Sequence, residues 1–485
     1  MNITTTIKQR RWIWYLLGAT VLAGAFLRLW RIDDFATFLG DQGRDMIVIH
    51  EIATFKHFPA LGPITSVGSM YLGPLYYYMM APWLWVTGMS PLGPAIGVAL
   101  LASAALVAQF FAMRDLFNTR IALLSTALTA TSSVLVHASR FSWNPNLLSP
   151  ASFLLVYALI KSLQTNKLVW YVASGLLLSL TIQLHYLALL LGPFVAIAMI
   201  IKLAITPERK TTAINITAAF AGFIILLAPF ILFEIIHSFP NIHSFFGFLE
   251  SGDTQTMNRL NEIIETTKTS FIHAMGVEIA PSTAIVIGIA TIIVAMLGAL
   301  KRSAISIFAA ALLTILIGSS LYTGAKFPHY LGPTYILWYV IIAYVFDSLY
   351  NTKFGVIIVA LFLSSFVFIQ TQHYTFFAQG PGPQQIEHAK LVAAKIEENI
   401  TSDSYRLTAL PEQYGSLTYR YYLIKNGKAP LKTEDRENRG DELFVVCDNE
   451  CQPIGEPLWD IAFFGAEKVL GTYKVRGATI YKLSR

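Results

Sequence analysis

Apolar residues run through this chain in stretches of helical length, separated by short polar segments. The stretches fall at about residues 12–30, 93–113, 121–137, 147–163, 168–184, 187–204, 214–235, 283–300, 303–322, 331–350 and 354–371. Each approaches the roughly 20 residues with which an α-helix crosses a bilayer. They lack the apolar/polar alternation of an outer-membrane barrel, which excludes that class. A further run, about 72–88, is ambiguous: it is short, rich in Tyr and Trp, and broken by Pro74 and Pro82. Aromatic residues of this kind collect at the membrane interface. After about residue 375 the pattern changes. Gly380-Pro381-Gly382-Pro383 signals a linker or turn. Residues 384–399 carry a helical period, with Ile386, Leu391 and Ile396 near one face. Residues 405–410 and 443–448 read as strands, and 468–483 as a hairpin turning at Gly477. The pattern therefore predicts a mostly α, polytopic membrane helical bundle over residues 1–374 and a small α/β domain over 375–485.

Composition agrees with this reading. The chain is 55% hydrophobic and 13% charged, where a soluble domain carries roughly 25% charged residues. The net charge of +6 is no sign of nucleic acid, because most basic residues sit between apolar runs, where topology accounts for them. No nucleic-acid partner is expected. Lys8, Arg10 and Arg11 followed by an apolar run resemble a signal peptide, but the run is long and shows no convincing cleavage site; it reads as an uncleaved first span.

The positive-inside rule settles the status of 72–88. If that run does not cross, Lys8/Arg10/Arg11, Arg114/Arg120, Lys161/Lys167, Lys202/Arg209/Lys210, Lys301/Arg302 and Lys353 all share one side. The expected topology is then about eleven spans of a cell (inner) membrane, with 72–88 interfacial or re-entrant, the N-terminus cytoplasmic and the C-terminal domain extracytoplasmic. The same assignment gathers the unusual polar residues on the outer face: Asp41, Arg44 and Asp45; the stretch 139–146; His185-Tyr186; the loop 236–282; and 326–330. Cys447 and Cys451 could close a small disulfide in an oxidising compartment, or stand as two thiols.

The chemistry concentrates in Gly40-Asp41-Gln42-Gly43-Arg44-Asp45, read as a polar loop after the first span. Charge beside a bilayer is costly and usually has a task. Asp41 is the leading candidate for a catalytic base, since a partly desolvated carboxylate accepts a proton more readily; the alternative is a helix cap. Asp45 is the competing carboxylate, on the same face as Asp41 if the segment is helical. Arg44 presents a planar fork suited to phosphate oxygens, or makes a local salt bridge. Arg140, Asn144 and Asn146 form a second cluster suited to phosphate and sugar hydroxyls, and Asn144-Pro145 is equally a turn signal. Lys326, His329 and Tyr330 form a third, with Lys326 a candidate for a lipid phosphate. No spacing of His, Asp or Glu predicts a metal.

In this order the motifs resemble the GT-C superfamily of polyprenol-dependent glycosyltransferases, in the branch of protein O-mannosyltransferases, the lipid A aminoarabinose transferase and Rhizobium-type lipopolysaccharide core transferases. The family's Asp-Glu-x-Arg-Tyr type motif reads Asp41-Gln42-Gly43-Arg44-Asp45. Its Pro-Pro-Leu-Tyr-Tyr-Trp type segment reads Gly73-Pro74-Leu75-Tyr76-Tyr77-Tyr78. Its Ser-Arg motif reads Ser139-Arg140, and its Lys…His-Tyr-Leu-x-Pro motif reads Lys326, His329-Tyr330-Leu331 and Pro333. The resemblance implies a bundle of GT-C type and inverting transfer of a sugar from a polyprenyl-phosphate donor to an acceptor hydroxyl of a lipid, glycan or protein at the outer face. By the resemblance Asp41 would be the base and Arg44 would bind the donor phosphate; Lys326 would supply further positive charge there, and Arg140 is placed near the phosphate by its residue type. Asn144, Asn146, His329, Tyr330 and Tyr71 would contact substrate, and the loop 236–282 would form a lid. Gln42 replaces the family's Glu, and Tyr71-Leu72 replaces its Glu-Lys pair, so no zinc site is carried over and a divalent metal stays an open option. The rival readings are an O-antigen ligase or polymerase, and a transporter; few charges lie inside the spans and no internal repeat appears, against the latter.

Overall fold

The computed structural model describes residues 3–65, 70–250, 258–322, 324, 326–350, 352–411, 415–448 and 450–485. The bundle begins with α1 (Ile3–Leu29), α2 (Ile32–Phe35), α3 (Gly40–Ala53), α4 (Leu75–Val86), α5 (Leu92–Leu116), α6 (Thr119–Thr131), α7 (Ser133–Ala138) and α8 (Leu148–Thr165). It continues through α9 (Leu168–Leu184), α10 (Leu191–Ile205), α11 (Arg209–Ile236), α12 (Pro240–Glu250), α13 (Arg259–Met275), α14 (Pro281–Leu300), α15 (Ile305–Ser319), α16 (Tyr335–Leu349) and α17 (Gly355–Thr371). Among the described residues seven helical stretches are long and apolar enough to cross a membrane, and α9, α15 and α17 are shorter apolar helices. Single 3-10 turns, Asn144–Leu147, Tyr186–Leu190 and Pro328–Thr334, lead into α8, α10 and α16.

The ambiguous run becomes α4, with Tyr76, Tyr77, Met80, Ala81 and Leu84 buried. Its 12 residues give a length of about 18 Å, well under the ~30 Å hydrocarbon thickness.

The stretch 121–137, expected as one span, is broken at Ser132, whose backbone is extended between α6 and α7. A broken helix inside a bundle leaves donors and acceptors open, and side chains from distant elements supply their partners. Buried Arg28 of α1 donates to the carbonyls of Thr129 and Ala130 (3.3 and 3.0 Å), and Gln370 accepts from Ser133 N (2.6 Å). Tyr339 donates to the Ser132 hydroxyl (2.7 Å). Within the loop 236–282, expected as a lid, α13 is packed against the bundle. Its Ser270 accepts from the Trp338 indole (2.9 Å) and is 2.7 Å from Thr334 Oγ1. Residues 251–257 lie outside the described residues.

The C-terminal part holds α18 (Gln385–Glu397), β1 (Tyr405–Leu410), α19 (Leu417–Lys425), β2 (Glu442–Cys447), α20 (Trp459–Phe464), β3 (Lys468–Val475) and β4 (Ala478–Ser484). The sheet order is β1-β2-β4-β3. β1 pairs parallel with β2 from Tyr405↔Glu442 to Leu410↔Cys447, and the two other pairings are antiparallel. Parallel strands need a crossover, and α19 lies in the connection. β2 is buried along its whole length because both faces are covered. Phe444 and Val446 join the core that includes α18 and α19, while Leu443, Val445 and Cys447 pack with Ile461 and Phe464 of α20. The hairpin turns through Arg476 and Gly477, both at positive φ (46° and 88°), the geometry that matches strand twist. Cys447 and Cys451 are joined as a disulfide.

One hydrophobic core joins this sheet to the bundle. It contains Phe38, Met46, Ile49 and Ile52 from around α3, Tyr76 and Met80 from α4, and Tyr405, Tyr421, Leu423 and Phe444 from the C-terminal part. Tyr419, Tyr421 and Tyr422 are therefore core residues, with Tyr421 donating to the Met89 carbonyl (2.8 Å).

Candidate active site

The segment expected as a loop is instead the start of α3, a correction of its local structure. Leu39, not Asp41, is the N-cap; Gln42 reaches back to accept from Leu39 N (3.0 Å). Asp41 lies in the first turn, where a negative charge is favoured by the helix dipole. Helical spacing then sets Arg44 between the two carboxylates. Its Nη1 donates to Asp41 Oδ1 (3.0 Å), while Nε and Nη2 both donate to Asp45 Oδ1 (2.9 and 2.8 Å).

The two aspartates differ in environment. The Asp41 side chain is 52% exposed and that of Asp45 is fully buried. Desolvation therefore falls on Asp45, not on the predicted base. Burial pushes Asp45 up to about 6, against the pull of Arg44 and of the Tyr77 hydroxyl, which donates to it (3.0 Å). Burial works against the Arg44 charge, but Asp45 and Asp41 outweigh it and hold the guanidinium protonated. Asp45 does not line the cavity described next; it orients Arg44 from behind.

Asp41 and Arg44 line a cavity of about 180 Å³ with Leu72, Trp143, Asn144, His185, Tyr186, His329 and Tyr330. Its wall opposite α3 is built from the three 3-10 turns that start α8, α10 and α16, with the residues just before them. The rings pack into one aromatic cluster: Trp143–His329 at 4.5 Å between centroids, His185–Tyr330 at 5.2 Å and His185–His329 at 5.6 Å. Burial, helped by His329, pushes His185 down to about 3, so the ring is neutral and its Nδ1 accepts from Leu187 N (3.2 Å). Asn144 is fixed by donating to the Leu184 carbonyl (2.7 Å). A groove of about 640 Å³ adjoins the cavity, sharing Trp143, Pro145 and His329. Val134, Leu135, Phe141, Ile272 and Val277 make its lining largely apolar, and Asn146 stands on its wall, bonded to the Phe141 carbonyl (2.8 Å).

The structure thus brings together Asp41, Arg44, Asn144, His329 and Tyr330, and sets other expected residues elsewhere. Arg140 is buried at the end of α1, donating to the carbonyls of Leu27 (2.7 Å), Trp30 (2.8 Å) and Arg31 (3.4 Å), with its guanidinium 3.8 Å from the Phe376 ring centroid. Those contacts employ it in closing α1, and it does not line the cavity. Lys326 is paired with Glu262 at 3.0 Å, both side chains 12% exposed, and is also absent from the cavity wall. Tyr71 stands outside the cavity, its N–H donating to Asn241 Oδ1 (2.6 Å), which buried Glu234 holds in turn. The walls include Pro63, Ile64 and Thr65, which carry no sequence signal because they come from an irregular segment. Among the described residues no three of His, Cys, Asp or Glu gather to hold a metal ion.

Residues 72–233 match the family model described as dolichyl-phosphate-mannose-protein mannosyltransferase. That stretch includes Trp143, Asn144, His185 and Tyr186 of the cavity and begins after α3. Among solved structures, ArnT from Cupriavidus metallidurans in the apo state is similar with a TM-score of 0.57 at 12% identity, over 98% of each chain. The same protein bound to undecaprenyl phosphate gives 0.56 at 12%, over 97% of this chain and 98% of that one. The archaeal oligosaccharyltransferase AglB from Archaeoglobus fulgidus, in complex with an inhibitory peptide and a dolichol-phosphate, gives 0.55 at 13%, over 90% of this chain and 69% of that one. No curated protein matches the chain by sequence at a significant level.

Proposed function

From the GT-C fold of this chain, we propose that it is a membrane glycosyltransferase that moves one sugar, with inversion, from a polyprenyl-phosphate donor to an acceptor hydroxyl at the outer face of the membrane. The observation that carries the reading is the pairing of Asp41 and Arg44 on one wall of a cavity that adjoins a more apolar groove. Such a pair of spaces suits a phosphate with a long isoprenoid tail: the groove takes chain carbons, and Arg44 on the cavity wall meets phosphate oxygens. The half-exposed Asp41 is the group within reach of an acceptor.

In this mechanism Asp41 takes the proton of the acceptor hydroxyl as its oxygen attacks the anomeric carbon. The bond from that carbon to the phosphate oxygen breaks, and polyprenyl phosphate leaves with the electron pair. Arg44 stabilises the charge growing on the departing phosphate, and it does so without reorganising because Asp45, itself held by the Tyr77 hydroxyl, already holds it. The aromatic cluster around His185 and His329 excludes water and offers faces to the sugar. The disulfide between Cys447 and Cys451 supports the extracytoplasmic side for the C-terminal domain.

The test is mass spectrometry of envelope glycolipids and glycoproteins from cells with the protein, without it, and with Asp41→Asn. One hexose or pentose should vanish from an acceptor in the last two. Wild-type glycosylation by the Asn variant would remove the proposed base, and a missing polymer rather than a missing single sugar would move the chain to the ligase or polymerase class.

A further inference from the structure

The C-terminal part has a cavity of its own, of about 790 Å³, far larger than the transfer cavity. It opens where β1 and β2 end, at Leu410 and Cys447. The carboxyl ends of parallel strands are where open α/β sheets bind ligands, because the connections splay apart there. The wall carries one large aromatic side chain, Trp459, and three carboxylates, Asp448, Glu450 and Glu456.

Trp459 is 41% exposed although it belongs to a helix whose Ile461 and Phe464 are buried in the core. It is not loose. Phe463, one turn on, lies parallel to it, with ring centroids 4.7 Å apart and 9° between the planes. Buried Arg406 sits behind the pair, 4.8 Å from the Phe463 centroid and 5.6 Å from that of Trp459, anchored by Asp460 at 3.5 Å and by the Asn438 carbonyl at 2.7 Å. The rim opposite is tied by the disulfide between Cys447 and Cys451. A flat, rigid, exposed indole beside several carboxylate acceptors is the surface a sugar ring needs: a face for its C–H groups and acceptors for its hydroxyls.

We infer that this cavity is a second saccharide site, one that takes a neutral glycan of two or more residues. The charges decide the class. Asp448 and Glu456 repel phosphorylated, sulfated or uronic sugars, while the charge of Glu450 is met by Lys474. A basic peptide is disfavoured as well, since Arg406 already lies against the Trp459 ring and Glu450 is already paired with Lys474. The inference stands on this geometry alone and holds whether or not the α3 cavity transfers sugar.

Saturation-transfer NMR on the full chain in nanodiscs tests it, with chitobiose and maltose as neutral probes, digalacturonate as the anionic one and tri-lysine as the peptide. At least one neutral disaccharide should give a signal, and digalacturonate should bind at least ten-fold more weakly. Trp459→Ala should weaken the neutral probe by about ten-fold, while Trp459→Phe, which keeps a ring, should hold most of the affinity. The assignment is overturned by silence from both neutral probes, by an unchanged signal in Trp459→Ala (which would place the sugar elsewhere), by equal binding of digalacturonate, or by binding of tri-lysine alone. None of these readouts depends on transfer activity, so failure here and failure of the proposed reaction are separable.

Discussion

At Gly43 the helix carrying Asp41 and Arg44 meets the C-terminal domain without room for a methyl group. A Cβ there would stand 2.5 Å from Thr418 N, 2.6 Å from Leu417 C and 2.9 Å from Thr418 Cα. All three are backbone atoms of the first turn of α19, so no rotamer change relieves the overlap. Carbon contacts settle at about 3.5–4.0 Å, so α3 and α19 must part by roughly 1 Å in Gly43→Ala. Two effects oppose each other. Alanine in a helix interior is favoured over glycine by about 1 kcal/mol, and overpacking costs about 1–3 kcal/mol. Overpacking wins by about 1 kcal/mol, which moves the melting midpoint of a protein this size by only about 2 °C. Catalysis should suffer far more, because a displacement of about 1 Å in a positioned group can cost about 100-fold in rate. The assay is turnover with a polyprenyl-phosphate sugar by protein in nanodiscs, alongside thermal unfolding of the same sample. The expected result is a rate loss of about 100-fold with a nearly unchanged melting point. A variant with wild-type turnover and a raised melting point would show that helix propensity alone governs position 43, and would refute the seam as the device that places α3.

Two further outcomes follow from the same geometry. Arg140→Ala should lower stability by about 3 kcal/mol, since it strips charged donors from buried carbonyls at the end of α1; transfer per folded molecule and its dependence on lipid donor should stay as in wild type, and a donor-specific KM effect would restore Arg140 to the phosphate site. Asp45 is an acid whose folded pKa, about 6, lies above its ordinary 3.8. The folded state then binds the proton more tightly, so its contribution of about 3 kcal/mol is fully present below pH 4, is lost as pH rises from 4 through 6, and is absent above that. Melting midpoints from pH 4 to 7 should show this decline in wild type and not in Asp45→Asn; parallel curves would show that Arg44 keeps Asp45 ionised throughout.

The membrane architecture was legible because its signal is local. Runs of apolar residues near 20 long need no neighbour to be recognised, and ten of the eleven expected spans correspond to a long or shorter apolar helix. The remaining one, 121–137, looked continuous because Ser132 and Ser133 carry no breaker signal; its break depends on Arg28, Tyr339 and Gln370, which are far away in sequence. Strands β1 to β4 were legible for the same local reason, through β-branched and aromatic runs and the Gly477 turn. Helix α19 was not singled out, as its nine residues are too few for a helical period to stand out.

The site divides in the same manner. Residue type and order marked Asp41, Arg44, His329 and Tyr330, since an arginine between carboxylates beside a span is rare enough to stand out. Type alone could not separate Asp41 from Asp45, or a phosphate-binding arginine from one that closes a helix. Those roles depend on burial and on which carbonyls lie within hydrogen-bonding reach, and both are set by packing between segments remote in the chain. Sequence therefore determined which stretches are long and apolar enough to cross a membrane and which charged groups the chain carries; tertiary structure alone decided which carboxylate stays wet, which arginine is buried against carbonyls, and that Gly43 is one of the places where the two parts of the molecule touch.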